Sequence, residues 1–457
     1  MAIATINPAT GALVQAFEAH HSGAVDHALT RAALAAAGWR RVPPARRALL
    51  LTALADRLEA EKESLARLAT LEMGKTLRSA RDEVAKCAFG CRHYAAEGER
   101  MLAAEQYSAP GFTGTVRYEP VGVVLAVMPW NFPYWQVFRA AVPALMAGNA
   151  MVLKHASNVP QCALAIERVF RDAGAPEGLF QTLLIPAASV AALIADERIA
   201  AITVTGSEAA GRDVAMHAGR VTKKCVLELG GSDPYIVLAD ADVERAAQTA
   251  VTARVLNNGQ SCVCAKRFIV DERIADAFES AFVTRMRALR VGDPFDDATD
   301  VGPLATEQGV RDIAAQTERT VRAGATLLAG GSRLTRAGWY YEPTVLRDVP
   351  LDSAAATEEL FGPVAPIFRV HGVDEAIALA NDTPLGLGST VWTRDPALAE
   401  RCVSELDVGM VFVNSLVASD PRIPFGGVKG SGYGREIGLH GLREFVNVKT
   451  VRGGVDA

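Results

Sequence analysis

The sequence predicts an α/β fold built on largely parallel sheets. From about residue 118, short apolar runs alternate with segments of helical periodicity, and this alternation resumes through residues 268–415. Continuous aliphatic runs are typical of strands buried on both faces, and strands that alternate with helices form parallel sheets. With 457 residues, the chain is long enough for two or three domains.

The first hundred residues have a helical pattern. Residues 43–75 carry leucines at helical spacing between charged residues, and residues 76–102 continue as a second helical stretch. In that second stretch Cys87 and Cys91 lie four apart, where core packing explains them better than metal binding because no further Cys or His stands at ligand spacing. The leucines that we predict to face a core are Leu49, Leu50, Leu54, Leu58 and Leu65.

The central third of the chain supplies the predicted parallel strands. A final apolar run at residues 445–451 predicts a lone terminal strand, which must pair with another strand, a partner subunit being one candidate. The predicted strands are 121–128, 150–154, 182–185, 201–205, 225–229, 235–238 and 267–270, and the helices between them are 160–173, 189–196 and 207–218.

Composition excludes several classes of protein. A net charge of −5 gives no basic face for nucleic acid, and no run of about 18 apolar residues predicts a membrane span. The start, Met1–Thr5, lacks the pattern of a signal peptide. Seven scattered cysteines do not form a secreted disulfide framework, so we expect a cytoplasmic protein. The eight histidines show no metal-binding spacing, and we predict no metal site.

Cys262 is the first candidate for chemistry. It lies in a polar, glycine-containing turn, residues 257–264, between a helical stretch and a strand. A nucleophilic cysteine needs a lowered thiol pKa, which we expect the backbone amides of such a turn to supply. The alternative is a small core residue, the commoner role of a lone cysteine.

Glu228 and Asn131 are the second and third candidates. Glu228 ends an apolar strand before Gly230 and Gly231, and a desolvated carboxylate has a raised pKa that suits a general base. Its alternative is a structural buried hydrogen bond. Asn131 is held between two prolines in residues 129–133, and a fixed amide is a suitable oxyanion donor. Its alternative is an ordinary proline-rich turn.

Other segments are weaker candidates for binding a nucleotide. Residues 206–211 join a strand to a helix, where amides can face a pyrophosphate, but Gly206 and Gly211 alone do not make the dinucleotide fingerprint. Lys154 ends a strand and is a candidate for ribose or phosphate contacts, or else a solvated surface lysine. Glu359 is a candidate for a ribose contact, or else half of a solvated acidic pair with Glu358.

The order and separation of these segments resemble the aldehyde dehydrogenase superfamily, and the likeness spans nearly the whole chain. Its combination of motifs is far more specific than any one of them. The segments that carry it are 129–133, Lys154, 206–211, 228–231, 259–262, 359–363 and 424–429.

The resemblance implies roles for these positions. Cys262 would attack the aldehyde, Asn131 and the Cys262 amide would hold the oxyanion, and Glu228 would activate the water that hydrolyses the thioester. NAD or NADP would be the cofactor. The positions that the resemblance assigns to it are Trp130, Lys154, Ser157, Gly206, Ser207, Gly211, Glu359 and Phe361.

The resemblance also implies an architecture. It predicts a Rossmann-like cofactor-binding domain, an α/β catalytic domain and a small β oligomerisation arm, in a homodimer or homotetramer. The corresponding ranges are 1–110 with 127–229 for cofactor binding, 230–422 for catalysis, and 111–126 with 440–457 for the arm.

Within the superfamily the sequence is most similar to short bacterial succinate-semialdehyde dehydrogenases, through residues 135–139, 153–156 and 228–234. Arg139 matches an arginine that binds the substrate carboxylate in that group, and a cation suits an anionic substrate. Some relatives have a second carboxylate-binding arginine at the position of Leu256. Ser419 and Arg422 are candidates to compensate for its absence here.

Two further details concern selectivity and regulation. NAD-selective relatives often carry Glu three residues after the lysine, where this chain has Ser157, so NADP is permitted and NAD is not excluded. In some relatives a Cys-x-Cys pair forms a reversible disulfide, which makes Cys264 a possible redox partner of Cys262; packing is the alternative.

Three other functions stay open at this point. A broader ω-oxoacid or aliphatic aldehyde dehydrogenase would share the same nucleophile. An acylating enzyme would pass the thioester to coenzyme A, but such relatives generally lack the glutamate found at Glu228. A non-catalytic structural or binding protein on this scaffold would be expected to lose Cys262, which is present.

Overall fold

The computed structural model describes residues 3–452. Its strands are β1 (Ile3–Asn7), β2 (Ala12–Phe17), β3 (Glu105–Ala109), β4 (Phe112–Pro120), β5 (Val123–Met128), β6 (Ala150–His155), β7 (Phe180–Thr182), β8 (Ile199–Thr205), β9 (Lys224–Glu228), β10 (Asp233–Val237), β11 (Ala265–Asp271), β12 (Thr326–Ala329), β13 (Thr344–Arg347), β14 (Val364–Val370), β15 (Leu385–Gly386), β16 (Gly388–Trp392), β17 (Met410–Val413), β18 (Val428–Lys429), β19 (Gly432–Tyr433) and β20 (Val446–Arg452).

The helices lie between these strands and cover the sheet faces. They are α1 (Ser22–Trp39), α2 (Pro44–Ala60), α3 (Lys62–Met73), α4 (Leu77–Met101), α5 (Trp135–Ala147), α6 (Pro160–Asp172), α7 (Val190–Ala195), α8 (Glu208–Arg220), α9 (Val243–Val255), α10 (Glu272–Arg287), α11 (Glu307–Arg322), α12 (Ala354–Thr357), α13 (Val373–Asn381), α14 (Pro396–Glu405) and α15 (Gly438–Leu442). Between residues 3 and 452, no helix is both long enough and apolar enough to cross a membrane.

A six-stranded sheet with the order β19-β9-β8-β5-β6-β7 forms the first α/β unit. Strands β5 to β9 run parallel, because helices connect them on either face. Their carboxyl ends lie at one edge, where ligands bind in open sheets of this kind. The loop that carries Asn131 follows β5, Ser207 follows β8, and Glu228 ends β9.

A seven-stranded sheet with the order β12-β13-β14-β11-β10-β16-β17 forms the second α/β unit. All its pairs are parallel except β12 with β13, which are antiparallel. Cys262 lies in the turn immediately before β11. The predicted α/β fold class is therefore confirmed, and the two sheets each deliver part of the candidate site.

The terminal strand, β20, pairs with β4 inside the same chain, from Val446 opposite Pro120 to Arg452 opposite Gly114. With β3 these strands form a three-stranded antiparallel sheet. The predicted arm boundary at 111–126 differs from this arrangement, because β3 belongs to the arm sheet while β5, from residue 123, belongs to the six-stranded sheet. Residues 453–457 of the predicted arm lie outside the described residues.

Two local predictions were wrong. Leu49 is 58% exposed because it lies on the solvent face of α2, whereas Leu50, Leu54 and Leu58 face the core. The strand predicted at 182–185 is displaced: β7 ends at Thr182, since only one further amide, that of Leu183, pairs with the neighbouring strand. Cys87 and Cys91 are buried on α4 in the apolar core, as the packing interpretation predicts.

Candidate active site

The turn before Cys262 has a strained backbone that packing maintains. Asn257, Asn258 and Gly259 have φ values of 55°, 61° and 79°. A Cβ on Gly259 would lie 2.4 Å from the carbonyl carbon of Gly362, so only glycine fits there. The Asn257 amide donates to the carbonyls of Asn131 and Gln260, and that of Asn258 to Gly74 and Pro303. Such strain persists only where surrounding contacts impose it, as it does here next to the nucleophile.

Cys262 is partly exposed and lines a cavity of about 450 Å³. Burial raises the pKa of its thiol to about 12, although Arg139 and Lys266 act in the opposite direction. The expectation of a lowered thiol pKa was therefore wrong, because desolvation by burial outweighs the nearby charges. The backbone amide of Cys262 donates to no atom of residues 3–452, which leaves it free for an oxyanion.

Asn131 lies beside this turn and is buried. Its Nδ2 donates to the Gln260 carbonyl at 3.0 Å, and its Oδ1 accepts from Gln136 Nε2 at 3.0 Å. The amide plane is thus fixed from both ends. An asparagine amide carries two N–H groups, so one remains for a ligand once the other is on Gln260.

His155, at the end of β6, holds the loop that carries Asn131. Its Nε2 lies 2.9 Å from the Pro133 carbonyl, and its Nδ1 accepts from the Ala156 amide at 2.9 Å. Burial lowers the pKa of His155 to about 4, so the ring is neutral and donates from Nε2. The sequence motif contained His155, but nothing in its local pattern indicated this contact across the sheet.

Glu228 is 1% exposed at the end of β9. Neither carboxylate oxygen accepts a hydrogen bond from residues 3–452, so the alternative of a structural buried hydrogen bond was wrong. Burial, and after it the neighbouring carboxylate of Glu436, raises the pKa of Glu228 well above its usual range. A Cβ on Gly426 would lie 2.7 Å from Glu228 Oε1, which shows how closely the loop backbone approaches this carboxylate.

Arg139, which the resemblance assigns to the substrate carboxylate, is ion-paired within the chain. It is 3% exposed on α5, its Nε is ion-paired with Glu436, and its Nη2 donates to Thr205 at 3.3 Å. The guanidinium also lies 4.6 Å from the centre of the Phe425 ring. It still contributes to the cavity wall, but its charge is largely balanced by a carboxylate 297 residues away in sequence, whose approach the local motif did not predict.

The far wall of the cavity contains a hydrogen-bonded group around Ser419. The Ser419 hydroxyl accepts from Trp135 Nε1 and from Lys86 Nζ, both at 2.8 Å. Leu256 lines the same cavity with an apolar side chain. Arg422 was wrongly predicted as a compensating cation: its guanidinium is paired with Asp420 and its side chain is largely exposed, outside the cavity wall.

Lys154 provides the main cation on the cofactor side. It is 7% exposed at the end of β6, and its ammonium has no hydrogen-bond or ionic partner among residues 3–452, so the solvated-surface alternative was wrong. Burial alone lowers its pKa. Ser157 follows in the half-buried turn and places no carboxylate beside this lysine.

The start of α8 has free amides, though not those that the sequence suggested. Gly206 donates to the Glu228 carbonyl and Gly211 to the Ser207 carbonyl, so neither amide faces outward. A Cβ on Gly211 would lie 2.4 Å from the Leu229 side chain, which makes Gly211 a packing residue between α8 and β9. Ser207 caps the helix by accepting from Ala210 at 3.3 Å, and the first-turn amides beyond it lack helical partners.

Glu359 is fixed next to the glycine turn that follows β9. Its Oε1 accepts from Lys266 Nζ at 2.7 Å and from the Gly231 amide at 3.2 Å. Trp130 and Phe361 pack edge to face nearby, with ring centres 5.7 Å apart. The alternative of a solvated acidic pair was wrong, because Glu358 is ion-paired with Arg319 on α11 and Glu359 is bound to Lys266.

Cys264 is fully buried, and its thiol donates to the Leu256 carbonyl at 3.4 Å. Both cysteines are free thiols. A disulfide would require Cys264 to leave this contact, so the geometry favours packing over a redox switch.

Comparison with known proteins agrees with this geometry. A model of the aldehyde dehydrogenase family matches residues 1–451. The chain is 54% identical, over 99% of both chains, to succinate-semialdehyde dehydrogenase [NADP(+)] 1 of Mycobacterium tuberculosis. It is 53% identical, over 99% of both, to a probable enzyme of the same name from Synechocystis. The succinic semialdehyde dehydrogenase of Streptococcus pyogenes, solved with NADP+, superposes with a TM-score of 0.96 at 35% identity, covering 98% of this chain and 99% of that one.

Proposed function

The chain belongs to the aldehyde dehydrogenase family, and from this premise we propose that it oxidises succinate semialdehyde to succinate with NADP+. The observation that carries the choice of substrate is the 54% identity, over nearly the full length, to enzymes named for that reaction. The cavity supports it, since cationic and hydroxyl groups lie in the same space as Cys262. A panel of succinate semialdehyde, glutarate semialdehyde and butanal, run with both cofactors, tests the proposal.

Cys262 forms the covalent intermediates. Its thiolate adds to the aldehyde carbon to give a thiohemiacetal, whose oxyanion accepts from the second N–H of Asn131 and from the Cys262 amide. Because burial raises the thiol pKa to about 12 before ligands bind, the thiol gives its proton to solvent in the cavity as it attacks, and Glu228 is not needed for this step. NADP+ would supply the hydride acceptor for the conversion of the thiohemiacetal into a thioester.

Glu228 is the general base in this proposal. Its carboxylate has no hydrogen-bond partner among the described residues, and desolvation makes it a strong base for water. The water that Glu228 deprotonates attacks the thioester, releases succinate and returns Cys262 to its thiolate. A coenzyme A-dependent enzyme would have no use for this base, so added coenzyme A should not change the product.

The residues on the cofactor side fit a dinucleotide. The unpartnered ammonium of Lys154 requires an anion or hydroxyl to compensate its burial, and ribose or phosphate groups would do so. The free first-turn amides of α8 suit a pyrophosphate, and Glu359 Oε2 is available for ribose hydroxyls. The absence of a carboxylate at Ser157 favours a 2′-phosphate, hence NADP+ over NAD+.

We also propose that the protein forms a homodimer or homotetramer in the cytoplasm. The three-stranded sheet leaves Tyr107, Phe112 and Val448 exposed, and apolar side chains on a sheet with open edges favour association. Light scattering at micromolar concentration tests the assembly, and a monomer would refute it. Cell fractionation tests the location.

A further inference from the structure

The cavity holds a cation that neither the sequence motifs nor the comparisons assigned. Lys86 projects from α4 into the wall, 2.8 Å from Ser419 Oγ, with its ammonium 4.8 Å from the centre of the Trp135 ring. From α9 and the turn after it the lining receives Val251, Val255 and Leu256, which are apolar, and Thr252. The cations that line the cavity, Arg78, Lys86 and Arg139, all lie on α4 and α5.

The carboxylates near Lys86 are already engaged elsewhere or lie out of reach. Glu83 is buried against Lys75 and also accepts from the amides of Tyr134 and Trp135. Asp420 is paired with Arg422. Asp82, one turn earlier on α4, also lines the cavity but forms no ion pair with Lys86. Lys86 thus keeps a net positive charge, unlike Arg139, which Glu436 balances.

Ser419 adds a directed donor to this charge. A hydroxyl has two acceptor lone pairs and one proton. Both acceptor positions of Ser419 are taken by Trp135 Nε1 and Lys86 Nζ, while its own proton has no acceptor among residues 3–452. The proton and the Lys86 ammonium are therefore both available to one anionic group in the cavity.

We propose that Lys86, together with Ser419, binds the carboxylate of the substrate while its aldehyde end lies at Cys262. The proposal rests on the proposed function and adds Lys86 as a residue that selects ω-carboxylate aldehydes. Ammonium and hydroxyl donors bind a carboxylate by charge-assisted hydrogen bonds. Arg139 adds an electrostatic field and any N–H group that is left free, but Glu436 already compensates its charge.

The charge state of Lys86 supports a pH test. Burial and, after it, Arg139 lower the pKa of Lys86 to about 8, against the opposing effects of Cys87, Asp420 and Glu83. The ammonium is present below that pH and is lost above it. Selectivity for an anionic aldehyde should consequently fall as pH rises through about 8, and a bound carboxylate would move the midpoint upward.

The experiment compares kcat/KM for succinate semialdehyde and for butanal at fixed NADP+. Taking the ratio removes the shared titrations of Cys262 and Glu228. We expect Lys86→Met to lower the ratio about 10- to 100-fold, mainly through KM, and to abolish its pH dependence. Lys86→Arg should keep most of the wild-type ratio. Because a guanidinium stays charged, the ratio should remain constant above pH 8. Lys62→Met, an exposed lysine on α3, is the matched control and should leave the ratio unchanged.

The possible outcomes distinguish a failure of the proposed function from a failure of the proposed role of Lys86. If the wild-type enzyme shows no preference for succinate semialdehyde over butanal, the proposed function is wrong. If the wild type shows the preference and Lys86→Met keeps both it and its pH profile, the role of Lys86 is wrong while the function stands. Thermal melting of each variant identifies any loss that comes from folding.

Discussion

The Nε2 atom of His155 lies 2.9 Å from the carbonyl oxygen of Pro133, and this contact joins the end of β6 to the loop that carries Asn131. Asn131 is therefore held by a contact from the end of the neighbouring strand β6. A protonated ring would lose the bond that Nδ1 accepts from the Ala156 amide.

His155 should make stability depend on pH. Its pKa is about 4 in the folded protein against about 6.5 when unfolded, so the unfolded chain binds more protons between these values. Its stabilising effect is complete above pH 6.5 and decreases by up to about 1.4 kcal/mol per pH unit as pH falls toward 4. Urea unfolding of the wild type and His155→Gln at pH 7, 6 and 5 measures the difference. The variant should be less stable at pH 7 and lose less on acidification, whereas the exposed control His371→Gln should follow the wild type.

Asn131 should contribute to the transition state and little to substrate binding. Asn131→Asp keeps the acceptor for Gln136 but removes both donors and adds charge beside the oxyanion. Loss of one oxyanion donor typically lowers kcat by about 100- to 1000-fold. Steady-state kinetics should show that loss with KM nearly unchanged, and the exposed Asn447→Asp on β20 should match the wild type. A change confined to KM would contradict the proposed role.

Ser157 should control the choice of cofactor. A carboxylate at this turn would face the 2′-phosphate across from Lys154, so Ser157→Glu should lower kcat/KM for NADP+ by about 10- to 100-fold. The value for NAD+ should change much less, because its ribose hydroxyl carries no charge. Direct binding of each cofactor by isothermal calorimetry provides a readout that does not depend on turnover. Equal effects on the two cofactors would show that Ser157 is remote from the 2′ position.

Cys264 should matter for packing more than for redox control. Removing a buried thiol in Cys264→Ala should destabilise the protein by about 1 kcal/mol and leave peroxide sensitivity as in the wild type. The measurement is residual activity after peroxide, with and without dithiothreitol. Recovery by dithiothreitol in the wild type, but not in the variant, would establish the switch instead.

The elements and most of the site could be predicted because their signals are local. Strands β5, β8 and β9 are mostly apolar, and the polar residues Asn131, Ser207 and Glu228 stand at or just after their ends. Parallel topology then brings these ends to one edge of the sheet. The boundary predicted at residue 126 runs into β5, because only two residues separate β4 from β5 and the apolar pattern does not mark the change of sheet.

The electrostatics of the site could not be predicted from the sequence, because they depend on residues far apart in the chain. Glu436 and Arg139 are far apart in sequence and pair only through the tertiary fold, and burial in that fold raises the thiol pKa of Cys262. Lys86 belongs to an amphipathic helix whose charged face is typical of solvent exposure. Only the packing of the Ser419 loop against that face turns Lys86 toward the cavity.

The most direct test of the account is the intact mass of Glu228→Gln after it is mixed with succinate semialdehyde and NADP+. Without its general base the enzyme should form the thioester and fail to hydrolyse it, so one succinyl group should remain per chain. Peptide fragmentation should place that group on Cys262 and not on Cys264. Two results would contradict the assignment of Cys262 and Glu228. One is the release of one equivalent of NADPH by a chain that carries no adduct, and the other is an adduct on another residue.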